Sequence, residues 1–199
     1  MQKIYAVLIS FFCLCALHIN AQDLAELDDY EKAMKPGVQL TYDVTAKEKN
    51  FKMVVTIKKL GDEVSFSWKT SDPDNKSGSV TMSNSAISTA KAFSNVFNGS
   101  DNKLDKETSL WVSKQVCTDV TGAAQTSVKI NGASDTVTVM GNTMSVFNFT
   151  LNGTGVSLSG WELEGGNPKR TIDVLESLKF PLIYKLDLGW TMVLTDIKN

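Results

Sequence analysis

The sequence predicts a mainly β protein, built as a single strongly curved antiparallel sheet or a partly open β-barrel, with one internal helix and a short N-terminal helix. Apolar and polar residues alternate with period two through most of the chain after Pro36, which is typical of strands with one buried face. Turn pairs such as Gly61-Asp62 separate the alternating segments. The last segment, residues 182–194, is too long to lie straight in a domain of this size, which favours the bent strands of a barrel.

The first 21 residues have the pattern of a secretory signal peptide. One lysine precedes an apolar run, and Ala21 supplies a small residue at the expected cleavage site. The run holds about 12 residues, whereas a membrane-spanning helix needs about 20. We therefore divide the chain into a signal peptide, residues 1–21, and one antiparallel β-barrel-like domain, residues 22–199. This domain is expected to be exported to the periplasm or the cell exterior of a bacterium, with no transmembrane segment in the mature chain.

Cleavage at this site restricts the chemistry that the mature chain can perform. It removes His18, the only histidine, together with Cys13 and Cys15. Without an imidazole, catalytic triads and histidine metal sites are excluded, and we expect no catalytic residue, no metal and no cofactor. The remaining net charge of about −3, with no basic cluster, argues against nucleic acid as a partner. Cys117 remains, and we interpret it as a small buried apolar residue rather than a reactive thiol.

Two helices are predicted from apolar residues at three- and four-residue spacing. The first covers residues 23–34 and ends at Pro36-Gly37. The internal helix covers residues 85–97, with Asn84 as N-cap and Asn98-Gly99 as the stop. Its apolar stripe of Ile87, Ala90, Phe93 and Phe97 is expected to pack on the sheet, with the lining of a ligand cavity as the alternative.

Strands occupy most of the remaining chain. We predict them at residues 38–45, 51–57, 64–68, 79–82, 110–117, 128–130, 136–140, 144–151, 156–163, 170–177 and 182–194. The change of parity after Leu158 predicts a bulge near Ser159-Gly160. A helical turn is the alternative for residues 170–177, and a bend at Gly189 is expected in the last strand.

Carboxylates and tryptophans are the remaining candidates for a functional site. Six carboxylates lie at positions that alternation assigns to polar faces or turns: Asp43, Glu63, Glu162, Glu164, Asp173 and Asp187. Glycoside hydrolysis needs two such groups in a cleft, but solvated carboxylates are the common state of these residue types. The four tryptophans, Trp68, Trp111, Trp161 and Trp190, fit either core packing or the lining of a ligand site.

Three segments resemble a family of exported bacterial domains of unknown function. They are PGVQLTYDV near the start, TSLWVSKQV in the middle, and RTIDVLESLKFPLIYKLDLGWTMVLTDI at the end. That family is similar to lipoprotein-carrier and lipocalin-like half barrels. The resemblance implies a curved antiparallel sheet that wraps one helix, and it implies no catalytic residue.

The leading hypothesis is a non-enzymatic envelope protein that binds a lipid-like or other hydrophobic ligand in an apolar groove. Some strands carry apolar residues on both faces, which is more apolar surface than a one-sided sheet needs. The residues expected to line the groove are Phe93, Phe97, Trp111, Met144 and Val146. The second hypothesis is a structural or interaction module that binds another envelope component or a glycan, and the third is a carboxylate-based hydrolase.

Overall fold

The computed structural model describes residues 21–123, 125–130 and 136–199, without the side chains of residues 21–23 and 136–143. Most of the predicted signal peptide, residues 1–20, therefore lies outside the described residues. The helices are α1 (Ala21–Ala33), α2 (Asn84–Thr89) and α3 (Lys114–Ala123). The strands are β1 (Gln39–Ala46), β2 (Lys49–Lys59), β3 (Val64–Thr70), β4 (Ser77–Met82), β5 (Ala92–Phe93), β6 (Asp101–Leu104), β7 (Gln125–Ile130), β8 (Thr136–Leu151), β9 (Thr154–Gly165), β10 (Arg170–Leu175), β11 (Ile183–Asp187) and β12 (Thr191–Lys198).

The strands form one sheet that closes on itself. Its order is β5-β7-β8-β9-β10-β11-β12-β1-β2-β3-β4-β6. The end of β8 also pairs in parallel with β12, at Thr150 with Asp196 and at Leu151 with Ile197. Strands β8 to β12 are therefore a closed five-stranded barrel. Beyond β12 the sheet continues as β1, β2, β3, β4 and β6, which we call the extension. The mainly β, barrel-like prediction is confirmed.

Helix α1 is held against the barrel by its buried side. Tyr30 is fully buried, and its ring meets Phe149 of β8 edge to face, with 6.4 Å between the ring centroids. Its hydroxyl donates a hydrogen bond of 2.8 Å to the backbone carbonyl of Phe180. Glu26 accepts a hydrogen bond of 2.7 Å from the amide of Ser157 on β9. The predicted N-terminal helix thus exists, and it is anchored to the barrel.

The last predicted strand is a hairpin rather than one bent strand. Strands β11 and β12 run antiparallel, with Lys185 opposite Val193 and Leu186 opposite Met192. In this register, even-numbered residues face even-numbered residues. The period-two pattern therefore continues unbroken through the turn, and alternation alone cannot distinguish a hairpin from a long strand. Gly189, where we expected a bend, has φ of 86° within the connecting loop.

The predicted internal helix is too long at its C-terminal end. Helix α2 stops at Thr89, and Ser83, not Asn84, is the N-cap, accepting a hydrogen bond of 3.3 Å from the amide of Ala86. From Ala90 onward the backbone is extended, and Phe93 lies in β5, which pairs in parallel with β7. The hydrogen bonds between β5 and β7 replace those that a longer helix would make. A local apolar stripe gives no information about such a distant partner.

The predicted strand at residues 110–117 is also wrong. Leu110 has φ of 61°, Trp111 makes only an isolated bridge to Leu182, and α3 begins at Lys114. The Ser113 hydroxyl accepts a hydrogen bond of 3.2 Å from the Val116 amide, which is N-cap geometry. Ser113, directly before α3, was the local signal for a second internal helix. The alternation of apolar residues favoured a strand instead.

Strands β8 and β9 differ from the prediction in two details. Residues 136–151 form one strand rather than two, and the register shift lies between Met140 and Thr143. No bulge occurs near Ser159-Gly160, where β9 pairs regularly with both neighbours. Instead, Gly160 leaves room for the ring of Phe147, which covers its backbone. Strand β10 occupies residues 170–175, which confirms the strand over the helical turn.

Gly160→Ala tests this close packing inside the barrel. The added Cβ would overlap both the backbone carbonyl of Val174 and the Phe147 ring, so we expect the free energy of unfolding to fall by about 2 kcal/mol or more. Urea denaturation measures the change. Gly155→Ala on the same strand is the matched control, because its new Cβ meets nothing within 4 Å, and it should change stability by less than about 0.5 kcal/mol. Equal effects of the two substitutions would contradict the proposed packing.

Candidate functional site

A cleft of about 330 Å³ opens between the extension and the β11–β12 loop. Its apolar lining consists of Val44, Ala46, Phe51, Met53, Phe97, Trp190 and Met192. Its polar lining consists of Lys47, Thr70, Asp72, Lys76 and Asn95, and Gly189 completes it. The cleft therefore combines an apolar floor with a polar rim, which is the usual composition of a small-molecule site.

The floor is formed by one row of side chains that crosses three strands. Val44 on β1 lies directly opposite Phe51 on β2 and, on its other side, directly opposite Met192 on β12. Directly opposite residues of antiparallel strands project from the same face of the sheet. Val44 and Met192 are buried, whereas Phe51 is only half-buried. The row thus runs from the core outward to an aromatic ring in contact with solvent.

Two further aromatic rings come from loops. Trp190 is half-buried and follows Gly189, whose positive φ turns the chain so that the loop borders the cleft. Phe97 follows β5 and meets Trp68 edge to face, with 5.3 Å between ring centroids and 87° between ring planes. Trp68 is itself 2% exposed, so it provides a fixed support for Phe97. Three aromatic rings, those of Phe51, Phe97 and Trp190, therefore line the cleft.

The rim carries charges of both signs. Lys76 lies 3.8 Å from the carboxylate of Asp74, and the Thr70 hydroxyl donates a hydrogen bond to Asp72. Lys47 is exposed and sits at the turn between β1 and β2 with φ of 49°. Among the described residues, the lining holds neither a cysteine nor a histidine and only one carboxylate, that of Asp72. The rim thus adds charged and hydrogen-bonding groups to the apolar floor.

The five predicted lining residues lie in different places. Only Phe97 borders the cleft. Phe93 is 2% exposed in β5, and Trp111 is 2% exposed with its ring 5.7 Å from that of Phe66. Met144 and Val146 project from the solvent-facing side of β8 and are 46% and 61% exposed. The structure does not bring these five residues together.

Most of the cleft lining was missed as a site because cross-strand neighbours are invisible in the sequence. Val44, Phe51 and Met53 were recognised as apolar strand residues, and Trp190 as a member of the last alternating segment. Which strands pair, and in which register, decides that these side chains meet. An aromatic residue next to a turn glycine, as at Gly189-Trp190, was the one local signal that could have identified the site.

The candidate carboxylates differ in their exposure to solvent. Asp43 and Glu63 are paired with lysines at the surface, at 2.6 Å from Lys52 and 3.3 Å from Lys59. Asp173 differs, because it is only 5% exposed, and burial raises its pKa to about 6. The expectation that all six carboxylates are solvated is therefore wrong for Asp173.

The described residues contain neither a metal-binding cluster nor a helix that could span a membrane. Within residues 21–123, 125–130 and 136–199, no three histidine, cysteine or acidic side chains are grouped so that they could hold a metal ion. In the same part of the chain, no helix combines the length and the apolar character needed to cross a membrane. Neither a protein-family model, nor a curated protein, nor a solved structure matches the chain.

Cys117 offers a test of the packing of α3. Its thiol is half-buried against the core, and burial raises its pKa to about 12. Because only the thiolate reacts with a disulfide reagent, labelling of residues 22–199 at pH 8 should be at least about a hundredfold slower in the native protein than in urea. Absorbance of the released thiolate measures both rates. Rapid native labelling would show that Cys117 is accessible and ionised.

Proposed function

We propose that the protein is an exported, non-enzymatic binding protein whose cleft takes a small hydrophobic ligand. The observation that carries the proposal is the continuous apolar floor from Met192 through Val44 to Phe51, where the Phe51 ring reaches solvent and is bordered by Phe97 and Trp190. Ligand burial would remove the exposed parts of these rings from water, which is favourable at about 25 cal/mol for each Å² of apolar surface. The proposal of export rests on the composition of residues 1–21.

The size of the cleft supports a compact ligand. A volume of about 330 Å³ lies at the lower end of the range for small-molecule pockets, roughly 300 to 1,000 Å³. This fits a ring system or a short acyl chain better than a two-chain lipid. A polar end of the ligand would remain at the rim, near Lys47 and Lys76, where charged and hydrogen-bonding groups are available.

A second candidate function is docking of another envelope component on the solvent-facing side of β8. Exposed Met144 lies directly opposite the half-buried Trp161 of β9, and Val146 follows on the same face. Apolar side chains grouped on an exposed face favour an interaction surface. The cleft remains the preferred site because it is concave and combines its apolar floor with a polar rim.

The ligand proposal is tested with the uncharged fluorescent probe N-phenyl-1-naphthylamine. The wild-type protein should bind one equivalent with enhanced probe emission. Trp190→Ala and Phe51→Ala should each weaken binding about tenfold, because each removes an aromatic ring from the lining and with it roughly 1 to 2 kcal/mol of apolar contact. Fluorescence titration gives the affinities, and urea denaturation verifies that each variant is folded.

Val146→Ser is the matched control, since Val146 is apolar and exposed but lies outside the cleft. It should leave probe affinity unchanged. If Val146→Ser weakens binding while the two cleft substitutions do not, the face of β8 is the binding surface and the cleft proposal is wrong. Native mass spectrometry of the freshly purified protein provides a second test, because a carrier should retain a copurifying apolar molecule.

A further inference from the structure

Asp173 is a buried acidic residue in the middle of the barrel. It is 5% exposed, and its Oδ1 atom is buried without a hydrogen-bond partner among the described residues. The flanking residues Ile172 and Val174 are buried as well, so both faces of β10 are covered here. Unpaired buried carboxylates are rare because the charged form loses its hydration without compensation.

The neighbours of Asp173 compensate its charge only in part: burial raises its pKa most, Lys185 lowers it, and Glu162 and Asp187 raise it. Glu162 lies directly opposite on β9, and Lys185 lies directly opposite on β11. No ion pair within 4.0 Å joins Asp173 to Lys185 in the part of the chain that the structure describes. Asp187, two residues further along β11, and Tyr184 at the register shift of that strand also face this carboxyl. Asp173 therefore has two acidic neighbours and one basic neighbour.

Glu162 is itself held in position. The Ser145 hydroxyl donates a hydrogen bond to its carboxylate from β8, which fixes the side chain opposite Asp173. An ionised Asp173 would thus face the carboxylate of Glu162 across the β9–β10 pair, and this neighbour raises the pKa of Asp173. A neutral Asp173 carboxyl avoids both this repulsion and the loss of hydration.

We propose that Asp173 is a proton-controlled switch in the barrel: its neutral form allows tight pairing of β10 with β9 and β11, and its ionisation weakens that pairing. The folded chain binds the proton more tightly than the unfolded chain, in which an aspartate titrates near pH 3.9. The stabilisation by the proton is therefore complete below about pH 4 and is lost as pH rises through about 6, the pKa that burial gives Asp173. The barrel should be looser at pH 7.5 than at pH 5.

The switch is tested by comparing wild type with Asp173→Asn at pH 5.0 and 7.5. Asparagine keeps the size of the side chain and cannot ionise. At pH 5.0 the two proteins should have similar urea midpoints, whereas at pH 7.5 the variant should have a folded-to-unfolded ratio about tenfold or more above wild type. Asp43→Asn is the matched control, because Asp43 is exposed and paired with Lys52, and its pH profile should run parallel to that of wild type.

Two further measurements keep the proposal testable if Asp173→Asn fails to fold. Carbon-13 NMR of the Asp173 carboxyl should give an apparent pKa near 6 in wild type and a lower one in Glu162→Gln, because that substitution removes the opposing charge. Hydrogen exchange, corrected for the intrinsic pH dependence, should show faster opening of β10 and β11 at pH 7.5 than at pH 5.0, with β2 and β3 unchanged. An apparent pKa below 5, or the same pH profile in wild type and Asp173→Asn, would overturn the proposal.

Discussion

Closure of the barrel depends on a short parallel contact between the ends of β8 and β12. Thr150 pairs with Asp196 and Leu151 with Ile197, and the Thr150 hydroxyl also donates to the Asp196 carboxylate. The amide of Asn152 adds a hydrogen bond of 2.8 Å to the carbonyl of Ile197. Since β12 pairs with β1 along its opposite edge, this strand joins the barrel to the extension.

This arrangement explains where the molecule can bind and where it cannot. Helix α1 covers the barrel through Tyr30, and buried Trp111 occupies the core beside Phe66. The cleft opens at the junction between the extension and the β11–β12 loop, where Phe51, Phe97 and Trp190 stay partly exposed beside a polar rim. The proposed ligand site thus lies at the junction of two substructures, where concave sites commonly form. The buried carboxyl of Asp173 lies apart from this site, inside the paired strands of the barrel.

Elements with one buried face can be predicted from the local sequence, whereas elements with distant hydrogen-bond partners cannot. Strands β1, β2 and β3 were predicted within a few residues, because each has one buried face and therefore alternates. Residues 90–97 and 110–117 were assigned wrongly because their hydrogen-bond partners are distant in sequence: β5 pairs with β7, and Trp111 bridges to Leu182. The same limitation applies to the site. Phe97 was selected as a helix residue, yet it borders the cleft from a loop, and its partners Trp190 and Phe51 come from different strands and turns.

The sequence by itself determined the fold class and the absence of an imidazole from residues 22–199, because composition and period-two alternation are properties of the local chain. Only the tertiary structure decided that residues 182–194 fold as a hairpin, that the barrel closes through β8 and β12, and that Asp173 is buried. Each of these outcomes is set by strand register, and register depends on contacts between residues far apart in the chain. The aromatic residues of the cleft are visible in the sequence, but only the folding of distant segments against one another brings them together.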